Sequence, residues 1–161
     1  MKSKLLITAI ISLLIFAAFS PKPKSTPYKC MIQLINYDGE GAYIVVSLLD
    51  PQGNYVETLN ILGDDQEWYH DLTAWWKYFE NSTEKIDAIT GATISGGERT
   101  IKVIKIDDDK LDKGYRIRFE TAVEDQKYVQ DDVTFELTSE NVKSKIEGTG
   151  YIRYIRMLPQ K

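Results

Sequence analysis

Residues 115–123, YRIRFETAV, alternate without a break. In an extended chain Tyr115, Ile117, Phe119, Thr121 and Val123 fall on one face, and Arg116, Arg118 and Glu120 on the other. A strict period of two excludes a helix there and predicts a half-buried antiparallel strand. Residues 132–138, DVTFELT, alternate in the same way. Strand-like runs also occupy 29–37, 42–50, 54–62, 99–106 and 150–158. That makes seven short strands, with no repeat and no alternation of strands with helices that would indicate a parallel sheet.

The turns between them are legible too. DGEG at 38–41 separates two β-rich runs and reads as a hairpin, and DPQG at 50–53 reads as a second turn with Pro at its second position. The first three strands are therefore expected to form a meander. The period changes once. Trp68, Leu72, Trp75, Trp76 and Phe79 fall on one face of a helix of about three turns. Asp64 and Asp65 precede it, where acids favour a helix N-terminus. Trp76, in line with Leu72 and Phe79, is expected to be the more buried of the adjacent pair, with Trp75 nearer residues 87–97. The tryptophans either cap one end of the core or wall a planar ligand. The expectation is a mainly β protein, an immunoglobulin-like antiparallel β-sandwich with one amphipathic helix.

The ends of the domain follow from composition. Lys2 and Lys4 precede an apolar run from Leu5 to Phe19, interrupted only by Thr8 and Ser12, with Ala18-Phe19-Ser20 after it. Residues 1–20 are read as a signal peptide for export, with an uncleaved anchor as the other use of the same run. Residues 21–28 form a Pro-rich basic tether, and 29–161 the β-sandwich domain. The net charge is −4, and more negative without the leader's lysines, so nucleic acid is excluded as a partner. Cys30 is the only cysteine and His70 the only histidine. No intrachain disulfide can form, and no zinc site can be assembled from Cys and His. Cys30 reads as a packed strand residue. His70 beside Asp71 reads as a solvated helix residue, with a hydrolytic pair as the remote alternative. Asp107-Asp108-Asp109 lacks the spaced ligands of a calcium loop.

Residues 87–97, DAITGATISGG, have neither period. Thr90-Gly91-Ala92-Thr93 is a small-residue turn with two hydroxyls. Gly91 allows positive φ, and Ala92 leaves room for another molecule to approach. The plain reading is a loop whose threonines bond their own backbone, and the functional one is a hydroxyl presented for modification.

The same residues resemble the attachment motif of proteins that carry covalent flavin mononucleotide (FMN): Asp, two variable residues, Ser or Thr, Gly, Ala, Thr. Asp87, Thr90, Gly91, Ala92 and Thr93 fill its defined positions. The resemblance implies that a flavin transferase esterifies the flavin phosphate to Thr93, with Thr90 shaping the turn and Asp87 serving recognition. Beyond the motif, VSLLDPQGNYVETLNIL, WYHDLTAWW and LDKGYRIRFETAVE resemble pieces of the bacterial domain-of-unknown-function family 2271, predicted periplasmic proteins. KIDDDKLDKG stands where that family has a Trp-Asp-Gly turn. The resemblance implies an exported redox carrier working with membrane or periplasmic redox proteins. A cofactor-free accessory module of such a complex is the alternative.

Overall fold

The computed structural model describes residues 24–160, so the leader expected over 1–20 lies outside the described residues. The strands are β1 (Ser25–Leu34), β2 (Tyr43–Leu49), β3 (Tyr55–Leu62), β4 (Thr90–Gly91), β5 (Arg99–Asp107), β6 (Arg116–Ala122), β7 (Val129–Glu136), β8 (Lys145–Glu147) and β9 (Ile152–Pro159). They form a mainly β protein of two sheets, ordered β5-β1-β9-β8 and β4-β3-β2-β6-β7. Every pairing is antiparallel except that of β4 with β3. All seven anticipated strands are present. β4 and β8, two and three residues long, are too short to produce a period. β1 begins at Ser25, so Ser25–Tyr28, expected in the tether, are paired strand.

The sheets share one core. Cys30, Ile32 and Leu34 from β1, Ile104 and Ile106 from β5, and Ile155 and Met157 from β9 meet Ile44, Val46, Ile117, Phe119 and Val133 of the other sheet. Cys30 is fully buried as expected, and burial pushes its thiol up to about 12.

The expected meander holds only in part. Asp50 builds the β2–β3 turn: its carbonyl accepts from Gly53 N, and its carboxylate accepts from Gln52 N and Asn54 N. Gly53 takes φ +88°, which favours glycine. The first turn is different. β1 pairs with β5 and β9 and not with β2. Residues 35–42 instead carry the chain from one sheet to the other, across the roughly 10 Å that separates packed sheets. Tyr37 fixes this crossover by donating to the carbonyls of Glu40 and Ile94. Asp-Gly marks a reversal of direction there, and not a hairpin.

The anticipated three-turn helix is two pieces. A 3-10 turn spans Gln66–Asp71, with the Asp65 carboxylate accepting from Glu67 N. Leu72, at φ −81° and ψ 63°, interrupts it, and the helix α1 spans Thr73–Phe79. Trp76 N still donates to the Leu72 carbonyl, but the face turned to the core is centred on Leu72 and Trp75, and Trp76 lies at its edge. Trp75 is fully buried and Trp76 only half-buried, the reverse of the expected order. Trp75 stacks on Phe79 at 4.5 Å and meets Tyr69 edge-on at 5.3 Å.

These pieces cover the outer face of the five-stranded sheet, where Val45, Ile61 and Ala122 join Tyr69, Leu72, Trp75 and Ile86 in a second cluster. β6 is therefore buried on both faces and not one. Arg118 and Glu120, expected in solvent, lie under the helix. Glu120 accepts from Arg118 Nη2, from Tyr128 Oη at 2.6 Å and from Trp75 N at 3.1 Å.

Candidate functional site

The segment 87–97 crosses the edge of the five-stranded sheet. Asp87–Ile89 form an exposed 3-10 turn. Thr90 and Gly91 then pair in parallel with Ile61 and Leu62, and Gly63 N donates to the Gly91 carbonyl. Asn60 Nδ2 donates to the Ile89 carbonyl at 2.8 Å. Ile94 makes an isolated antiparallel bridge with Ala42. The motif is thus an ordered edge pinned at both ends, and not a free loop. Gly91 is in strand and takes no positive φ; the left-handed residue of the segment is Gly97, at φ +77°.

The two motif hydroxyls differ. Thr90 Oγ1 donates to the Ile86 carbonyl at 2.9 Å, closing the turn from within. Thr93 Oγ1 makes no hydrogen bond among the described residues. It lies over Gly41, where an added Cβ would come within 2.4 Å of it. Thr93 opens onto a pocket of about 180 Å³ lined by Glu40, Gly41, Tyr43, Trp68 and Glu124. Ala92 is exposed beside it.

The pocket is negative. Burial, then the charges of Asp65, Asp64 and Glu124, push the Tyr43 hydroxyl up to about 12. The aromatic partner of the motif is Trp68, where Trp75 was expected; Trp75 is sealed in the second cluster, its Nε1 donating to Thr58 Oγ1 at 3.0 Å. Sequence reasoning missed Glu40, Gly41, Tyr43 and Glu124. They come from the inter-sheet crossover, the start of β2 and the residues just after β6, and only knowledge of that crossover brings them to Thr93.

A flavin phosphate esterified here needs a free hydroxyl, space beside it and flat surfaces near it. Thr93 Oγ1, the missing Cβ of Gly41, and the rings of Tyr43 and Trp68 fit those needs. Glu40 and Glu124 oppose an anion, but both are exposed, and water and salt screen them.

Elsewhere the remaining sequence candidates stay apart. His70 is exposed, with Nε2 3.4 Å from Asp71 and Nδ1 against the Glu67 carbonyl, and no nucleophile joins the pair among the described residues. No three His, Cys, Asp or Glu side chains converge as a metal site among the described residues.

Residues 25–154 match the family model DUF2271, described as a predicted periplasmic protein. No curated protein and no solved structure matches the chain.

Proposed function

The chain belongs to the DUF2271 family of predicted periplasmic proteins, and from that premise we propose an exported small redox carrier bearing FMN covalently on Thr93. Its expected partners are a flavin transferase and membrane or periplasmic redox proteins. The observation that carries the reading is the contrast between the two motif hydroxyls. Thr90 is committed to the Ile86 carbonyl, whereas Thr93 is unpaired and opens onto a pocket. Gly91 and Ala92 have no side-chain nucleophile. Thr93 would hold the phosphate, Gly41 would leave room for it, and Tyr43 and Trp68 would present rings to the cofactor. Once attached, the isoalloxazine supplies the electron transfer, and the protein sets its position and exposure. Asp87, exposed on its turn, is available to the transferase and holds nothing in place. Export through the leader of residues 1–20 belongs to the same proposal. So does an immunoglobulin-like arrangement of the two sheets, supported by seven principal antiparallel strands.

The acidic rim of Glu40 and Glu124 favours the second reading, a cofactor-free accessory module of a periplasmic redox complex. Co-production with a flavin transferase separates the two. The carrier reading expects fluorescence that survives denaturing electrophoresis, is abolished by Thr93→Ala and is largely kept by Thr90→Ser. Peptide mass spectrometry finding no flavin leaves the accessory module, and flavin on Thr90 overturns the assignment to Thr93.

A further inference from the structure

Away from the motif, three cations converge on one side of α1. Arg118 and Lys77 line a pocket of about 480 Å³ together with Asn54, Tyr55 and Tyr78. Arg116 lies at its rim over Gly53, where an added Cβ would sit 2.7 Å from Nη2. This is unusual on a protein of net charge −4. Among the described residues, neither Lys77 nor Arg116 has a carboxylate within ion-pair distance. Asp50, in the adjoining turn, is committed to Asn54 and Gln52.

Arg118 gives the site its built character. It is 8% exposed, and its Nη2 donates to Glu120. Its Nε is buried with no partner among the described residues. A guanidinium carries five donors, and an unpaired buried donor costs about 1–3 kcal/mol. The chain retains this arrangement on the wall of an open pocket. Tyr78 supplies the second element. It stacks on Tyr55 at 3.8 Å and is 40% exposed. Cations and an aromatic surface therefore border one cavity of ligand size.

We propose that this pocket binds a small organic anion, a carboxylate or phosphate monoester on a flat ring. Lys77 and the guanidiniums of Arg118 and Arg116 take the anionic group, and the Tyr78–Tyr55 pair receives the ring. The site lies apart from Thr93 and does not depend on flavin attachment.

Titration calorimetry on the exported chain tests this, with phenyl phosphate and benzoate as probes and benzamide as the uncharged analogue. Saturable one-to-one binding of the two anions is expected, with benzamide at least about tenfold weaker. Lys77→Gln alters an exposed side chain and leaves the core intact, so circular dichroism should be unchanged. It should weaken phenyl phosphate about tenfold. Tyr78→Ala should weaken benzoate while leaving any binding of inorganic phosphate unchanged. Absence of saturable binding, equal affinity for benzamide, or an unaffected Lys77→Gln variant overturns the proposal.

Discussion

Asp132 and Glu120 are both fully buried on the five-stranded sheet, yet they are held by different kinds of donor. Asp132 accepts from Thr121 Oγ1 and from the backbone N–H groups of Thr149, Gly150 and Ile152, at 2.7–3.0 Å. All four donors are neutral. Gly148 and Gly150 pack against the carboxylate so closely that a Cβ on either would come within 3 Å of it. Glu120 instead faces a cation, a phenol and one backbone N–H. Around it Arg118 Nε and Ser47 Oγ have no partner among the described residues, and Ser47 stands opposite Arg118 in the β2–β6 register. The first carboxylate clasps a turn to a strand and leaves nothing over. The second leaves a spare donor on Arg118, a side chain that also lines a pocket. Buried charge that is completely answered by backbone is architecture; buried charge that is incompletely answered is where a ligand can still contribute.

That contrast breaks most readily at Asp132. Asp132→Ala strands three backbone donors and one hydroxyl, and is expected to cost about 4 kcal/mol in a denaturant titration. A loss under about 1 kcal/mol would show that water replaces the clasp and that the distinction is false.

The next effect is at Glu120. Glu120→Gln is expected to cost about 2 kcal/mol at neutral pH, less than a sealed ion pair because the neighbouring pocket admits water to Arg118. Its pH dependence sharpens the comparison. Burial holds the Glu120 carboxyl above its ordinary 4.5, against the opposing pull of Arg118, Tyr128 and the Trp75 N–H. An acid whose folded pKa is raised favours folding while protonated. Its contribution is complete below the unfolded value and is lost as pH rises through the folded one. The stability of the wild type minus that of Glu120→Gln should therefore fall as pH rises from about 4 to about 7. A difference that stays flat or rises with pH would mean that Arg118, Tyr128 and the Trp75 N–H together outweigh burial at Glu120.

Whether these carboxylates could be foreseen depends on what covers a strand. The alternation of residues 115–123 correctly predicts β6 and its core face of Ile117 and Phe119. It cannot say that a helix lies over the other face, and so Arg118 and Glu120 read as solvated. Asp50 and Gly53 announce their turn through local chemistry alone. Asp38-Gly39 carries the same signature but serves a crossover, because the pairing of β1 with β5 and β9 is a long-range choice. The pairing of Thr93 with Gly41 and Tyr43 was hidden for the same reason. The order of Trp75 and Trp76 is not legible because neighbouring residues on one apolar helical face differ by only about 100° in direction, and the sheet beneath decides which of them points straight into the core.

The smallest expected effect is at Trp75, beside Glu120. Trp75→Phe keeps the backbone donor to Glu120 and most of the packing, and loses only the Nε1 bond to Thr58. A loss of about 1 kcal/mol is expected in the same titration. A larger loss, accompanied by weaker binding in the cationic pocket, would show that the helix and the Glu120 group act as one unit.

The order β5-β1-β9-β8 places the first strand of the chain between the fifth and the last, with Tyr28 opposite Pro159. A polypeptide delivered N-terminus first presents β1 long before β9 exists to flank it. The four-stranded sheet cannot close until β9 has been made. Such a topology folds relatively slowly, because its decisive contacts join strands far apart in sequence. A product lacking β9 would leave β1 unpaired on one side and open to proteolysis.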